Sequence, residues 1–318
     1  MSVLVIGAAG NIGRLVVRAV LDRGAQVTAL VRDTERTVPP GSVLAAPGVT
    51  RVIGDLTRPA SIRRAMAGAE SVFLLTPHSP DQVELQNVAV DAAAETGTRL
   101  VKLSSWGPSV YETSPVPGAR RHWLTQQYAL ERGVPSTFLC PNYFMDVLVN
   151  RYAGEVRRRR VLPGPAGWRG ISMVDTRDVA EVAARVLTED GHTGATYTLS
   201  GPSAPTYSRI ADLLTRHTGR VVRYHYLSDP EFEEWMTRQG RQGWETAHAA
   251  AIFAFYRAGG GELVTGDVER ITGRPPRSVE AFLAERYAEF LPAAARRRPP
   301  PHPGTRLTPG GRLTWAPA

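Results

Sequence analysis

The stretch that decides the fold is SVLVIGAAGNIGRLVVRAVLDRG, residues 2–24. It begins with a short β-branched apolar run and continues with apolar residues at helical spacing, so it predicts a strand followed by a helix. Gly7, Gly10 and Gly13 stand between the two. Glycines in such a turn let the backbone approach a pyrophosphate, and the helix N-terminus adds the positive end of its dipole. The residues predicted to form this dinucleotide site are Gly7, Ala9, Gly10, Asn11, Ile12 and Gly13.

The end of the second predicted strand, LVRD, bears on which dinucleotide binds. An acidic side chain at this place hydrogen-bonds the ribose 2′-hydroxyl, whereas an arginine accepts a 2′-phosphate. Arg32 precedes Asp33, and we interpret Arg32 as a bidentate partner of the phosphate. The sequence therefore predicts NADPH (NADP) in preference to NADH. Arg14, just after the third glycine, either assists or is a solvated helix residue.

The carboxyl ends of the later strands add candidates, because ligands bind at this edge of an open α/β sheet. Asp55 ends the third strand, where its carboxylate either meets the adenine edge or caps the next helix. Thr76 and Pro77 follow the fourth strand. The further cofactor-binding residues expected here are Asp55, Leu56, Thr76, Pro77 and Ser104.

Strands and helices keep alternating, and the near-continuous apolar strands indicate a parallel sheet covered on both faces. The predicted fold class is α/β, a doubly wound parallel-sheet NAD(P)-binding Rossmann domain with a smaller, mainly helical C-terminal substrate subdomain. We assign residues 1–155 to the Rossmann domain, with 171–200 returning to it, and 156–170 and 201–291 to the subdomain. Residues 292–318 are rich in proline, glycine and arginine, which predicts a disordered tail.

The composition is that of an ordinary globular protein. Apolar residues make up 42% and charged residues 21% of the 318 residues, and no apolar run approaches the ~20 residues of a membrane span. The start lacks the basic region of a signal peptide. Cys140 is the one cysteine, which excludes an intramolecular disulfide and a cysteine-based metal cluster. We expect a cytoplasmic protein without a metal site.

The formal net charge is +8, but five arginines and no carboxylate lie in the tail. The remaining charge is nearly balanced. The run RRRR, residues 157–160, is more typical of a solvated surface than of a nucleic-acid site, and no groove-reading motif accompanies it. The expected partner is a small molecule, and a homodimer is left open.

Five separated segments carry a family resemblance: the N-terminal glycine turn and residues 54–77, 101–107, 133–146 and 171–187. They read GDLTRPASIRRAMAGAESVFLLTP, VKLSSWG, GVPSTFLCPNYFMD and ISMVDTRDVAEVAARVL. Together they resemble the NmrA-like family of atypical short-chain dehydrogenase/reductases. The resemblance implies an NADP-binding fold and one of that family's activities, which include quinone and dye reduction, isoflavone-reductase-like chemistry and nucleotide sensing without turnover.

Relatives in the broader superfamily carry Tyr-x-x-x-Lys on the helix after the fifth strand, where the lysine lowers the pKa of the tyrosine. The one lysine of this chain, Lys102, precedes that helix, which offers His122 and Gln126 at the same i, i+4 spacing. Cys140 also stands where similar proteins usually have arginine. The resemblance thus implies nucleotide binding without the usual acid–base pair.

Candidate catalytic residues gather near the fifth and sixth strands. Lys102 and Ser104 share one face of RLVKLSS. Because a lysine in a buried strand is costly unless paired, Lys102 either lies at the mouth of the site or extends to the surface. Ser105 either binds a substrate carbonyl or caps the next turn. His122 is either the proton donor or a structural helix residue.

The segment after the sixth strand is predicted to line the substrate side. Asn142, Tyr143 and Phe144 lie there, and aromatic side chains favour a flat apolar substrate, although Phe144 also fits core packing. The catalytic candidates are His122, Ser105, Lys102 and Tyr143.

These features favour an NADPH-dependent oxidoreductase that transfers hydride to an electron-poor aromatic, quinone-like or carbonyl acceptor. Such an acceptor stabilises the resulting anion and needs little acid catalysis, in keeping with the missing tyrosine–lysine pair. One alternative is an NADP(H)-binding redox sensor without turnover. Another is a tailoring enzyme of secondary metabolism that performs ketoreduction, isomerisation or cyclisation.

Overall fold

The computed structural model describes residues 1–32, 41–241, 243–295, 306–307 and 313–314. Apart from two short strands in the tail, its strands are β1 (Ser2–Ile6), β2 (Gln26–Val31), β3 (Val49–Ile53), β4 (Ser71–Leu74), β5 (Arg99–Leu103), β6 (Ser136–Pro141), β7 (Val161–Gly164), β8 (Thr196–Leu199) and β9 (Arg223–Tyr226). Its α-helices are α1 (Asn11–Leu21), α2 (Pro59–Met66), α3 (Gln82–Thr96), α4 (Pro117–Glu131), α5 (Ala153–Arg159), α6 (Thr176–Thr188), α7 (Tyr207–Thr218), α8 (Asp229–Arg238), α9 (Gly243–Phe255), α10 (Asp267–Thr272) and α11 (Val279–Arg286).

The main sheet has the order β3-β2-β1-β4-β5-β6-β8, and all its neighbouring strands are parallel. The strand order reverses between β1 and β4, which creates the crevice where open α/β sheets bind ligands. The predicted doubly wound fold is therefore confirmed, and the predicted nucleotide turn lies at this crevice.

Helices cover both faces of the sheet, as its apolar strands require. On one face α1 and α6 pack together over Val3, Val5 and Val101. On the other, α2, α3 and α4 pack in sequence over Leu4, Leu100 and their neighbours. Alternation along β5 sends Lys102 to the same face as Leu100, so the lysine points toward α3 and α4.

The smaller part of the molecule has its own apolar core, built from segments on α5, α7, α8, α9 and α11. Strands β7 and β9 pair in parallel beside this core, outside the main sheet. Helix α10 instead packs against α6. Phe144 and Val174 form an isolated bridge that brings the end of β6 to the start of α6.

The tail prediction falls mostly on residues outside the described ranges. Within it, Ala293–Ala295 forms a short helical turn, and Arg306–Leu307 and Leu313–Thr314 pair as two-residue antiparallel strands. None of the described helices has the length and apolar character that a membrane crossing needs.

Candidate active site

The glycine turn between β1 and α1 is packed too closely to admit side chains. Gly7 has φ +87°, which favours glycine, and a Cβ there would lie 2.5 Å from the carbonyl oxygen of Leu75. A Cβ on Gly13 would lie 2.0 Å from the carbonyl oxygen of Gly7. These two glycines therefore hold the helix against the turn, which is the packing role expected of a dinucleotide fingerprint.

The N-terminus of α1 has free hydrogen-bond donors. Gly10 occupies the N-cap and offers no side chain, and the first helical bond runs from Arg14 N to Gly10 O at 3.0 Å. The N–H groups of Asn11, Ile12 and Gly13 consequently have no partner within the helix. A pyrophosphate fits these donors and the positive end of the helix dipole, so the residues present suit a dinucleotide.

Arg32 and Asp55 lie beside each other at the ends of β2 and β3. Arg32 is exposed. Asp55 accepts hydrogen bonds from the backbone N and the Oγ1 of Thr57, both at 2.8 Å. These bonds, followed by the charges of Arg32 and Arg58, lower the pKa of Asp55. The N-cap of α2 is Arg58, so the interpretation of Asp55 as that cap is wrong and its carboxylate instead closes a local turn.

The other predicted cofactor residues lie along the same edge. The Oγ1 of Thr76 accepts a hydrogen bond from Gln86 Nε2 at 2.8 Å, which fixes the segment after β4. Pro77 and Ala9 are exposed. Leu56 packs against the core under α2. The contacts of these residues with a nucleotide remain predictions.

Lys102 is completely buried, and its Nζ lies 2.7 Å from Nδ1 of His122 on α4. The interpretation that Lys102 extends to the surface is therefore wrong. Burial lowers the pKa of Lys102 to about 7. Burial, and then the charge of Lys102, lower the pKa of His122 well below its usual value. The ring of His122 is thus neutral near pH 7, while Lys102 exchanges its proton in that range.

Which atom carries the shared hydrogen depends on the state of Lys102. A charged Lys102 donates to Nδ1 and leaves the ring hydrogen of His122 on Nε2, whereas a neutral Lys102 accepts from an Nδ1–H. Gln82 Nε2, an amide donor, lies 3.0 Å from Nε2 and 3.3 Å from Nδ1 of the same ring, so this contact matches the Nδ1–H form, and the amide turns its Oε1 toward the ring when the hydrogen is on Nε2. The pair can therefore move a proton between strand and helix without a charged histidine.

Ser104, on the same face as Lys102, is also tied to α4. Its Oγ accepts from Gln126 Nε2 at 2.7 Å, and Gln126 Nε2 lies 4.0 Å from Cys140 Sγ. The i, i+4 positions of the helix thus hold residues that contact Lys102 and Ser104. Ser105 is half-buried, and within the described ranges it makes no side-chain cap on the following turn, whose N-cap is Trp106. The capping interpretation of Ser105 is therefore not supported.

Two histidines that sequence reasoning did not connect to this site extend it outward. His78, which follows β4, has its Nδ1 3.2 Å from Gln82 Oε1. Its ring stands 4.7 Å from that of His248 on α9 and 5.5 Å from that of His122. Burial lowers the pKa of His248 to about 3. Of these two histidines, only His78 could have been placed at the site from sequence, since it lies two residues after Thr76 at the predicted ligand-binding edge of the sheet.

Six of these side chains form what we call the Lys102 cluster: Lys102, Ser104, Gln82, His122, Gln126 and His78. Its outer member, His78, is exposed, and its inner member, Lys102, is not. Among the described residues, no group of three His, Cys, Asp or Glu is placed to hold a metal ion. The contact between the Lys102 amine and the His122 imidazole suits the cluster to proton transfer.

Tyr143 follows β6 and stands half-buried against Phe253 and Tyr256, with ring centroids 5.6 and 6.0 Å away. It is thus part of an aromatic wall. The adjacent Asn142 is 2% exposed and bonds Ser172, the Gly261 carbonyl and the Tyr256 hydroxyl. The expectation that Asn142 lines the substrate side is wrong for its side chain, which fastens β6 to the smaller part of the molecule.

Comparison with known proteins agrees with this architecture. The family model described as the NmrA-like family matches residues 1–269. An NAD(P)H azoreductase from Xenophilus azovorans is 33% identical, over 91% of this chain and 99% of its own length. A (4-alkanoyl-5-oxo-2,5-dihydrofuran-3-yl)methyl phosphate reductase from Streptomyces griseus is also 33% identical, with the same two coverages.

A solved structure shows the same fold. The NADPH-dependent quinone oxidoreductase of Escherichia coli, complexed with NADPH, superposes with a TM-score of 0.81 and 25% identity. The match covers 91% of this chain and 99% of that one. The family resemblance carried by the five sequence segments is therefore confirmed, and the chain belongs to the NmrA-like family.

Proposed function

We propose that this protein is an NADPH-dependent reductase that transfers hydride to an electron-poor aromatic, quinone-like or carbonyl acceptor. The proposal rests on the closeness of the predicted nucleotide site and the proton-donating pair in the main sheet. The uncapped glycine turn and the Lys102–His122 pair lie at the carboxyl ends of β1 and β5, on either side of β4. The relatives named as reductases of an azo compound, a quinone and a dihydrofuran phosphate support the reaction class.

The nucleotide is held by the turn and by exposed cations. The N–H groups at the start of α1 bind the pyrophosphate, and Arg32 binds the 2′-phosphate beside Asp55. Bound NADPH supplies the hydride. Ser105, whose half-buried hydroxyl lies just beyond β5, orients the acceptor. Tyr143, Phe253 and Tyr256 offer the aromatic surface against which a flat substrate stacks.

The proton that accompanies the hydride comes from the Lys102 cluster. A protonated Lys102 gives its proton to Nδ1 of His122 while the Nε2 hydrogen of the ring passes to the reduced acceptor, with the Gln82 amide turned so that its Oε1 faces Nε2. The imidazole stays neutral throughout, and Lys102 is left as the amine. His78 is exposed and hydrogen-bonds Gln82, whose amide orients the ring of His122, and the proton that restores Lys102 comes from solvent at this outer end of the cluster.

The test is NADPH oxidation, followed by absorbance, with a panel of quinones, azo compounds and aromatic ketones, next to an NADPH binding titration. Turnover that falls as pH rises through about 7 is expected, because the proton donor Lys102 is lost there. The matched variants are His122→Asn and the surface control Arg120→Gln. Binding without turnover on every acceptor would replace the reductase by a nucleotide sensor, which the absence of a tyrosine–lysine pair also allows.

A further inference from the structure

Arg151 is a cation without a carboxylate partner in the smaller part of the molecule. It lies half-buried in the helical turn Leu148–Tyr152, just before α5. Within the described ranges it makes no ion pair; its Nη1 donates to the hydroxyl of Tyr143 across 3.4 Å, and the hydroxyl of Tyr152 is close enough to interact with it as well. The groups that act on its charge are the hydroxyls of Tyr143, Tyr152 and Tyr207, which raise the pKa of Arg151.

Two of these tyrosines are completely buried, and their hydroxyls interact only loosely with each other and with Tyr143 and Arg151. Among the described residues, the hydroxyls of Tyr152 and Tyr207 find no hydrogen-bond partner of normal geometry. Their rings are fixed: Tyr152 stacks on Trp235 with centroids 5.7 Å apart, and Tyr207 meets Tyr152 edge-on at 6.0 Å. Arg151, Tyr143, Tyr152 and Tyr207 are called the Arg151 cluster.

The composition of this cluster indicates what is missing from it. A cation removed from water needs a counter-charge, and a buried hydroxyl left unpaired costs free energy. Guanidinium and tyrosine hydroxyls are all donors to an anion, and guanidinium binds carboxylate, sulfonate or phosphate oxygens bidentately. One anionic group satisfies the charge and the hydroxyls together.

The cluster is also in the right place for a substrate. Tyr143 is the second residue after the carboxyl end of β6, and its ring packs with Phe253 and Tyr256 in the aromatic wall. On the other side, Arg151 lies close enough to His248 for its charge to contribute to the lowered pKa of that histidine. His248 in turn contacts the ring of His78 and accepts from Gly118 N at 3.3 Å. His248 therefore lies near both the Arg151 cluster and the Lys102 cluster.

We propose that Arg151, with the hydroxyls of Tyr143, Tyr152 and Tyr207, binds an anionic group of the substrate, a carboxylate, sulfonate or phosphate. The proposal rests on the proposed reductase function and adds that the preferred acceptors carry such a group at the end remote from the reacting atom. The residues of the Arg151 cluster set substrate choice, and they take no part in hydride or proton transfer.

The first experiment compares Arg151→Gln with Arg159→Gln, an exposed site on α5 with the same change of charge. Two acceptors are used, a neutral naphthoquinone and its sulfonate. Arg151→Gln is expected to raise the KM for the sulfonate about tenfold or more, with KM for the neutral quinone and both kcat values unchanged. Arg159→Gln is expected to change neither. An equal effect on both acceptors, or an equal effect of both variants, overturns the proposal.

A binding experiment separates this inference from the reductase proposal. Naphthalene sulfonate is titrated into the cofactor-free protein while tryptophan fluorescence is recorded, with sulfate in a parallel titration. A Kd that rises about tenfold in Arg151→Gln supports the site even if no acceptor is reduced. Sulfate binding as tightly as the aromatic sulfonate would make this a free-anion site and overturn the assignment to substrate. The absence of any sulfonate binding to the wild-type protein would also overturn it.

A second pair of variants tests the site without changing Arg151, in case Arg151→Gln does not fold. Tyr152→Phe removes a hydroxyl without a close partner, whereas Tyr197→Phe, on the edge strand β8 away from the aromatic wall, removes one that lies 2.8 Å from His192 Nδ1. Tyr152→Phe is expected to leave the Tm unchanged or higher and to weaken sulfonate binding several-fold. Tyr197→Phe is expected to lower the Tm and to leave sulfonate binding unchanged. The reverse pattern would show that the Tyr152 hydroxyl serves folding, against the proposal.

Discussion

The Lys102 cluster and the Arg151 cluster both place a cation among polar side chains, but they differ in how completely those side chains are satisfied. Lys102 bonds His122, His122 contacts Gln82, and Ser104 bonds Gln126. Arg151 bonds the Tyr143 hydroxyl across 3.4 Å and interacts loosely with that of Tyr152, and the hydroxyls of Tyr152 and Tyr207 have no close hydrogen-bond partner in the described structure. A network complete within the protein is suited to hold and move a proton, whereas an incomplete one is suited to receive a ligand.

The largest effect is expected from breaking the Lys102–His122 pair. Lys102→Met removes the proton source, and His122→Asn removes the group that passes it on, so each is expected to lower kcat for an aromatic ketone, whose alkoxide needs a proton, by roughly 100-fold or more, and kcat for a quinone much less. NADPH affinity is expected to stay unchanged, since neither residue is part of the glycine turn. Steady-state kinetics and a binding titration measure the two quantities.

The double variant tests whether the two residues act as one unit. If they do, Lys102→Met with His122→Asn is expected to be no slower than the worse single variant. Losses that multiply would show that Lys102 and His122 act independently and would contradict the proton path.

The buried lysine also predicts a pH dependence of stability. The folded chain releases the Lys102 proton near pH 7, whereas the unfolded chain keeps it until about the ordinary 10.5. Between these values the unfolded chain binds more protons, so the contribution of Lys102 makes folding more favourable as pH rises. The groups facing Lys102 do not hide this effect, because His122 is neutral across the window and burial raises the pKa of Cys140 to about 11.

Lys102→Met is the variant that isolates this dependence. The difference in free energy of unfolding between wild type and Lys102→Met is expected to shift in favour of the wild type from pH 7 to pH 10, by roughly a few kcal/mol. Urea unfolding at several pH values measures it. A difference that stays constant over that range would mean that Lys102 keeps an ordinary pKa.

The nucleotide half of the molecule was largely predictable from sequence, because the residues that form it are close together in the chain. Gly7, Gly10 and Gly13 act within one strand, turn and helix, so spacing alone indicates their role. The apolar strands likewise predicted the sheet. Asp55 was harder, because one carboxylate fits several local motifs, and the bonds to Thr57 decide among them.

The two clusters depend on contacts between residues far apart in the chain, which no periodicity encodes. The position of Lys102 on a strand face was predictable, but its burial against His122 was not, because helix rotation decides it. His248 and Arg151 were missed altogether. Nothing near Arg151 in the sequence distinguishes it from the arginines that follow, and only its position beside the hydroxyls of Tyr143, Tyr152 and Tyr207 does so. The homodimer and the basic tail remain predictions.

Arg32 is a third cation, and unlike Lys102 it is exposed. Its substitution is expected to have a smaller effect, on NADPH affinity. Arg32→Ala is expected to weaken NADPH binding about tenfold, since one charge-assisted contact to the 2′-phosphate is lost. NADH binding is expected to stay the same. Arg18→Ala, on the same nucleotide-binding half but away from the turn, is the control. Equal losses for both nucleotides would remove Arg32 from the phosphate site.

The smallest effects test the comparison between the clusters directly. Ser104→Ala leaves the amide of Gln126 without its partner, so the free energy of unfolding is expected to fall by about 1 kcal/mol or somewhat more. Tyr207→Phe removes a hydroxyl that has no close hydrogen-bond partner in the described structure, so stability is expected to stay the same or to rise. Urea unfolding of both variants at one pH measures the two changes. Because both side chains are buried and both lose one oxygen, a difference in sign follows from hydrogen bonding rather than from burial, whereas an equal loss would mean that the Tyr207 hydroxyl is satisfied without a ligand.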